Sequence, residues 1–253
     1  MRSCILRNNC SKASTCKSPC PAYIQLQGIN NRGGKQSDAL IPSEYKSTTL
    51  TTARSRESQT HVYSDLELYK KTFFKSFNTD RYEAADRLKD MYFFSLETGT
   101  GKTETATALL NEFLMYSYVR SVMKEDPEVF VNPIFFLEMP KLQSLYTKAN
   151  RPSTPKEEAE SASREYYRLI RQAKKCRFVV LDEMGLREVS DAFSQDIYDL
   201  INKRTVENLT TIYTSNVSMD DLERVCGRRI FDRVRRWTRS YEFIGESMRG
   251  EFK

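Results

Sequence analysis

The chain has 253 residues, 39% of them apolar, so it can bury one core of ordinary size and at most a small additional unit. A run of about 18 apolar residues, which a membrane span needs, is missing, and the first residues lack the apolar segment of a secretory signal. The 40 Lys and Arg exceed the 34 Asp and Glu by six charges, a moderate basic excess. We therefore expect a cytoplasmic protein that makes no membrane contact.

Four of the six cysteines lie within the first twenty residues, namely Cys4, Cys10, Cys16 and Cys20. A disulfide framework is not expected in the cytosol, because thiols stay reduced there. Four thiolates can surround a tetrahedral zinc ion, and metal binding would supply folding energy that so short a segment lacks. Their spacings of five, five and three residues differ from paired Cys-x-x-Cys motifs, so an iron–sulfur cluster or a metal-free tail remain alternatives. We predict a zinc-binding region over residues 1–40.

The segment that follows is predicted to be less regular. Residues 21–60 are rich in Gly, Ser, Thr and Asn without clear periodicity, which is typical of a loosely ordered lead-in, and we place a linker at 41–63. A helix is expected from Ser64, a suitable N-cap, to residue 77. A second helix is expected over residues 80–90.

From residue 91 onward, short apolar runs alternate with amphipathic helices. Apolar runs without polar alternation are typical of strands that are buried on both faces. Strands that alternate with helices predict an α/β fold with a parallel, doubly wound sheet. The predicted strands are MYFFSL, NPIFFLEMP, CRFVVLDE and LTTIYTSN, and the predicted helices are KTETATALLNEFLMYSYVRSV, KLQSLYTKAN, KEEAESASREYYRLIRQAKK and SDAFSQDIYDLINKRTVEN.

The loop between the first of these strands and its helix, SLETGTGKT, matches most of the Walker A pattern Gly-x-x-x-x-Gly-Lys-Thr. Leu96 stands where the pattern has its first glycine. Backbone N–H groups at the start of the helix would surround a β-phosphate. Lys102 would contact the β- and γ-phosphates, and the Thr103 hydroxyl would ligate Mg²⁺. The nucleotide-binding residues predicted in this loop are Thr98, Gly99, Thr100, Gly101, Lys102 and Thr103.

The apolar run FVVLDE matches the Walker B pattern. Asp182 would hold Mg²⁺ through water, and Glu183 would polarise the water that attacks the γ-phosphate. Asn216 follows the next predicted strand, where a polar side chain could align that water. An asparagine at this place is also a common turn former or cap, so by itself it decides nothing.

These motifs, in this order, resemble AAA+ ATPases of the DnaC/DnaI type, the bacterial replicative-helicase loaders, a group that includes phage-encoded members. The resemblance covers about residues 41–250, and TSN and GRRIFDRV are its most specific parts. It implies an AAA+ P-loop ATPase core over residues 64–253, with the cysteine-rich metal-binding region before it. The segments that carry it are IPSEYKSTTL, SLETGTGKTETA, VVLDEMG, DLINKRTVENLTTIYTSN, GRRIFDRV and FIGESMR.

The resemblance also implies roles for single residues. Asn216 becomes the sensor-1 residue. Arg233 becomes an arginine finger that contacts the γ-phosphate of a neighbouring subunit, with Arg229 as the second choice. Arg249 matches sensor 2. The predicted catalytic residues are therefore Glu183, Asn216, Arg233 and Arg249.

The function that the resemblance implies is ATP-dependent loading of the hexameric replicative helicase onto single-stranded DNA when replication begins. ATP, Mg²⁺ and Zn²⁺ are then the cofactors, the ATPase domain self-associates, and the setting is a bacterial cytoplasm, or the host's if the chain is phage-encoded. The DNA contacts we predict are Lys141, Lys148 and Arg151, with Tyr146 for base stacking.

Four alternatives stay open. A transposition-helper ATPase that binds duplex DNA would share the same core, but usually lacks a cysteine-rich module. A non-hydrolysing adaptor on the helicase is favoured only by Leu96. A small-molecule P-loop kinase would need a substrate lid, and a replication initiator would need a helix-turn-helix unit after the core. We find neither feature in the sequence.

Overall fold

The computed structural model describes residues 4–30, 32–77, 87–185 and 190–248. Within these residues a parallel sheet has the strand order β2-β3-β4-β1-β5, and each neighbouring pair of strands is parallel. The predicted α/β class is thus confirmed. The strands are β1 Asp90–Phe94, β2 Ile134–Glu138, β3 Phe178–Met184, β4 Thr210–Ser215 and β5 Thr238–Glu242.

The long helices that join the strands agree closely with the sequence prediction. None of the described helices is both long and apolar enough to cross a bilayer. The helices are α1 Pro21–Gln27, α2 Gly34–Asp38, α3 Thr60–Lys70, α4 Lys102–Met123, α5 Met139–Asn150, α6 Lys156–Lys175, α7 Asp191–Val206, α8 Leu222–Cys226 and α9 Arg228–Trp237, with 3₁₀ turns at Arg7–Asn9, Ser43–Tyr45, Arg54–Arg56, Phe73–Phe77 and Pro127–Phe130.

The sheet separates two hydrophobic cores. Successive residues of a strand face opposite sides, so Val180 packs with Leu110 of α4 on one face, whereas Val179 and Leu181 pack with Leu169 of α6 on the other. Because both faces are covered, the strands read as continuous apolar runs. The carboxyl ends of the strands lie at one edge of the sheet, beside the N-terminus of α4.

The lead-in differs from the loosely ordered segment that was predicted. Leu26 and Leu50 are buried in the same core as α4. The side chain of Asn111 in α4 donates hydrogen bonds to the carbonyls of Tyr45 and Thr48, at 2.9 and 2.7 Å. These contacts occur at irregular intervals along the chain, so hydrophobic periodicity could not reveal them. The proposed domain boundaries at residues 40 and 63 stay a prediction.

Two further elements depart from the prediction. Helix α3 begins at Thr60 and ends at Lys70, earlier than predicted, and a 3₁₀ turn follows. That turn places the Phe73 ring in edge-on contact with Phe113 and Phe178 in the core. Residues 80–86 of the second predicted helix lie outside the described residues, while Asp90, its last residue, opens β1.

Candidate nucleotide-binding site

The loop after β1 forms a cradle at the N-terminus of α4. Gly99 and Gly101 have φ angles of 77° and 98°, a region that glycine adopts without strain. A side chain at Gly101 could not be accommodated, because its Cβ would lie 2.3 Å from the Cβ of Ser55. The Thr100 hydroxyl is buried and has no hydrogen-bond partner within the described ranges. An open cradle at a helix N-terminus, with the Thr100 hydroxyl available beside it, fits a phosphate group.

Lys102, the first residue of α4, is buried beside this cradle. Its Nζ donates a hydrogen bond to the carbonyl of Glu97 in the same loop, at 3.0 Å. The ammonium group is therefore held where the phosphate chain of a nucleotide would lie. Outside the loop, the cleft is lined by Tyr45, Arg54, Glu104, Glu183, Thr214, Ser215, Asn216 and Met248.

Leu96, the departure from the Walker A pattern, leaves the cradle clear. Its side chain is 74% exposed and so does not occupy the buried phosphate cradle. Its backbone does not take the positive φ of a glycine-specific turn. The preceding residue is fixed to the sheet, since the N–H of Ser95 donates to the Ser215 carbonyl at 3.3 Å. Leu96 thus lies before the residues that would contact the phosphates, and a leucine is tolerated at this position.

Asp182 lies at the end of β3, directly across from the cradle. Its Oδ1 accepts hydrogen bonds from the hydroxyls of Thr103, at 2.9 Å, and Thr214, at 2.6 Å. The pKa of Asp182 is raised to about 6. Burial is the main cause, the hydrogen bonds from the two hydroxyls lower the pKa, and the charges of Glu183 and Glu138 contribute to the rise. A carboxylate and a threonine hydroxyl in contact are hard oxygen ligands, which suit Mg²⁺.

Glu183 has an unusual backbone. Its φ angle is 60°, in the left-handed region that few residues other than glycine adopt. Such strain is found preferentially at functional sites. The half-buried carboxylate lines the cleft, so a water molecule near the cradle could be polarised by it.

Two residues at the site were missed by the sequence prediction. Thr214 lies on β4 with its hydroxyl between Asp182 and Glu183. Glu104 is buried and accepts hydrogen bonds from the backbone N–H groups of Arg54 and Ser55, at 3.1 and 3.0 Å, which fixes the lead-in against the cradle. The sequence signal for Thr214 was its position two residues before Asn216. No sequence signal pointed to Glu104.

The remaining predicted catalytic residues lie in different places. Asn216 is half-buried at the cleft. Arg233 and Arg229 lie on the Tyr198 ring of α7, with Cζ 6.0 and 4.2 Å from its centroid, and neither is among the described residues that line the cleft. Arg249 lies outside the described residues. The chain just before it contacts the cradle, because the N–H of Met248 donates to the Gly99 carbonyl at 3.0 Å.

The four N-terminal cysteines are free thiols. Burial raises the pKa of Cys4, and the charges of Cys20, Cys16 and Cys10 also raise it. Nevertheless, in the described part of the chain no three His, Cys, Asp or Glu side chains form a group that could hold a metal ion. The donor set suits zinc, but the geometry gives the predicted metal site no support.

The residues predicted to contact DNA are only partly available. Lys148 is paired with Glu158 at 2.7 Å. The Tyr146 ring packs against Tyr166 and Phe193, with centroids 5.5 and 5.4 Å apart, and is only partly exposed. Lys141 and Arg151 are exposed at either end of α5. Base stacking on Tyr146 would therefore require the ring to leave its packed position.

Residues 146–253 match the model of a family described as IstB-like ATP binding protein. This span is less than half of the chain, and over it the chain is similar to that family. The matched span begins after the cradle and includes Asp182, Glu183, Asn216 and Arg233, so the family pattern covers the acidic edge of the cleft. No curated protein matches the chain.

Solved structures extend the comparison to most of the chain. A crystal structure of DnaI is 20% identical, with a TM-score of 0.53, and the match covers 83% of this chain and 94% of that one. The crystal structure of the DnaC helicase loader is 17% identical, with a TM-score of 0.53, covering 80% and 100%. AMPPCP-bound DnaA from Aquifex aeolicus is 14% identical, with a TM-score of 0.51, covering 80% and 51%. At these identities the likeness shows a shared fold.

Proposed function

We propose that the protein is an ATPase that loads the replicative DNA helicase onto single-stranded DNA at the start of replication. The observation that carries this proposal is the contact between Thr103 and Asp182, which joins the two Walker motifs across one cleft. It occurs in a fold shared with DnaI and the DnaC helicase loader. The exposed position of Leu96 argues against a non-hydrolysing adaptor, because the cradle itself is unobstructed.

The proposal assigns tasks to six parts of the cleft. The cradle N–H groups and Lys102 would bind the phosphates of ATP, and Thr103 and Asp182 would hold Mg²⁺. Glu183 would accept a proton from the attacking water while Asn216 orients that water. Bound Mg²⁺ would neutralise charge on the phosphate oxygens. ATP then acts as a switch, since the triphosphate favours the assembled state and hydrolysis releases it.

The loading assay tests this function directly. The protein, a hexameric replicative helicase and circular single-stranded DNA are mixed with ATP or ADP, and the helicase bound to DNA is quantified. We expect loading only with the protein and ATP together. A protein that leaves helicase loading unchanged and instead binds duplex DNA would contradict the proposal and favour the transposition-helper ATPase.

We also propose that the N-terminal cysteines bind zinc and form the contact with the helicase. Full-length protein is expected to contain about one zinc per chain, as a four-thiolate site would require. The double variant Cys10→Ser/Cys16→Ser should lose the metal, measured by elemental analysis.

Cys226→Ser is the matched control for the zinc measurement. Burial raises the pKa of the Cys226 thiol to about 11, so this cysteine is a poor metal ligand and its loss should leave the zinc content unchanged. Wild-type protein purified without any bound metal would rule out the zinc proposal while leaving the ATPase proposal intact.

A further inference from the structure

The hydroxyl of Thr214 connects the two acids of the cleft. Thr214 is 1% exposed. Its Oγ1 donates a hydrogen bond to Asp182 Oδ1 at 2.6 Å and accepts one from the backbone N–H of Glu183 at 2.9 Å. A hydroxyl has one proton and two lone pairs, so this one serves both neighbours at once.

These contacts occur where the ladder between β3 and β4 is irregular. On its other side Asp182 is paired with Glu138 of β2. The pairing of β3 with β4 is interrupted between Leu181 and Met184, so this ladder does not fix Glu183. Two consecutive hydroxyls of β4 take over this task. Thr214 holds the Glu183 N–H, and the Ser215 hydroxyl donates to the Met184 carbonyl at 2.7 Å.

The contact to Glu183 constrains a strained backbone. With φ at 60°, the residue occupies a conformation that persists only when its surroundings enforce it. The N–H of Glu183 points at Thr214 in this conformation, and the carboxylate lines the cleft. Loss of the hydroxyl would leave a polar N–H without this partner and free the backbone to relax, which would change the direction of the carboxylate.

We propose that Thr214 is a positioning residue for ATP hydrolysis, which orients Glu183 towards the cleft and fixes the Asp182 carboxylate that Thr103 also contacts. The proposal rests on the proposed ATPase function and adds a residue that acts through the two acids. Because the hydrogen bonds of the Thr214 hydroxyl join it to Asp182 and Glu183, we expect its loss to slow the chemical step more than it weakens nucleotide binding.

Three variants test this role. Thr214→Val removes the hydroxyl and keeps the shape, Thr214→Ser keeps the hydroxyl, and Thr210→Val removes a buried hydroxyl from the same face of β4. Among the described residues, the Thr210 hydroxyl has one hydrogen bond, a long one of 3.5 Å to the Leu88 carbonyl, so it is the matched control. The measurements are kcat and KM for ATP, binding of a fluorescent ATP analogue with Mg²⁺, and the melting temperature.

We expect Thr214→Val to lower kcat by about 10- to 100-fold, the range for a misdirected general base, with analogue affinity within about threefold of wild type. Thr214→Ser should restore kcat, and Thr210→Val should keep it. The positioning role is rejected if wild type hydrolyses ATP and Thr214→Val does so at the same rate. It is also rejected if Thr210→Val and Thr214→Val show equal losses of kcat and equal decreases in melting temperature. A wild type without turnover would instead reject the ATPase proposal and this role together.

Discussion

Replacing Arg233 with alanine is expected to lower ATP turnover by the assembled protein about 1,000-fold, the lower limit for loss of an arginine finger, with ATP affinity close to wild type. Arg233 does not line the described part of its own cleft. Its Nη2 donates a weak hydrogen bond of 3.4 Å to the Tyr198 hydroxyl. An arginine that is half-buried on a neighbouring helix, and not in its own site, is suited to act on another subunit.

The measurement is turnover per protomer as the protein concentration rises, with and without single-stranded DNA. Wild type should gain activity as it self-associates, whereas Arg233→Ala should keep only the basal rate. Arg235→Ala is the control, because Arg235 is exposed on the same helix and stacks on its own Phe231 at 5.3 Å.

Arg229→Ala decides between the two candidate fingers. Arg229 is exposed and shares the Tyr198 ring, so position alone does not separate it from Arg233. Loss of stimulation in Arg229→Ala, with normal stimulation in Arg233→Ala, would transfer the role to Arg229. If ATP turnover by both variants rises with protein concentration as it does in wild type, neither Arg229 nor Arg233 is an arginine finger.

The central part of the fold could be predicted because each of its strands and helices has a recognisable pattern of apolar residues in its own sequence. Buried parallel strands read as apolar runs, and the helices between them carry apolar stripes, so β1 to β4 and α4 to α7 follow from the pattern. Edge strand β5 was missed. Its residues Thr238, Arg239, Ser240 and Glu242 are polar, because an edge strand faces solvent on part of its surface. A mostly polar segment of this kind is also typical of a loop.

The site was predictable where a residue type is tied to a chemical task. Glycines with positive φ, a lysine and a pair of acids are required by phosphate and metal chemistry, so Gly101, Lys102 and Asp182 could be found from spacing. Supporting contacts such as those of Thr214 and Glu104 could not. They depend on the register between β3 and β4 and on the path of the lead-in, which are properties of the packed chain.

The proposed ATPase requires Mg·ATP to bind between the cradle and the acidic edge of the sheet. Substitution of Lys102 tests this binding most sensitively, because its Nζ lies at the cradle and carries a positive charge that would pair with the phosphates. A hydrogen bond to a charged group contributes about 1.5–3 kcal/mol, so Lys102→Ala should weaken binding by about 10- to 150-fold. Lys124→Ala, at the other end of α4 and about 30 Å away by helix length, is the control.

The decisive measurement is titration of full-length protein with a fluorescent ATP analogue in the presence of Mg²⁺. Saturable binding by wild type and Lys124→Ala, with the predicted loss in Lys102→Ala, would agree with the account. Absence of saturable binding by wild type, or equal binding by wild type and Lys102→Ala, would contradict it.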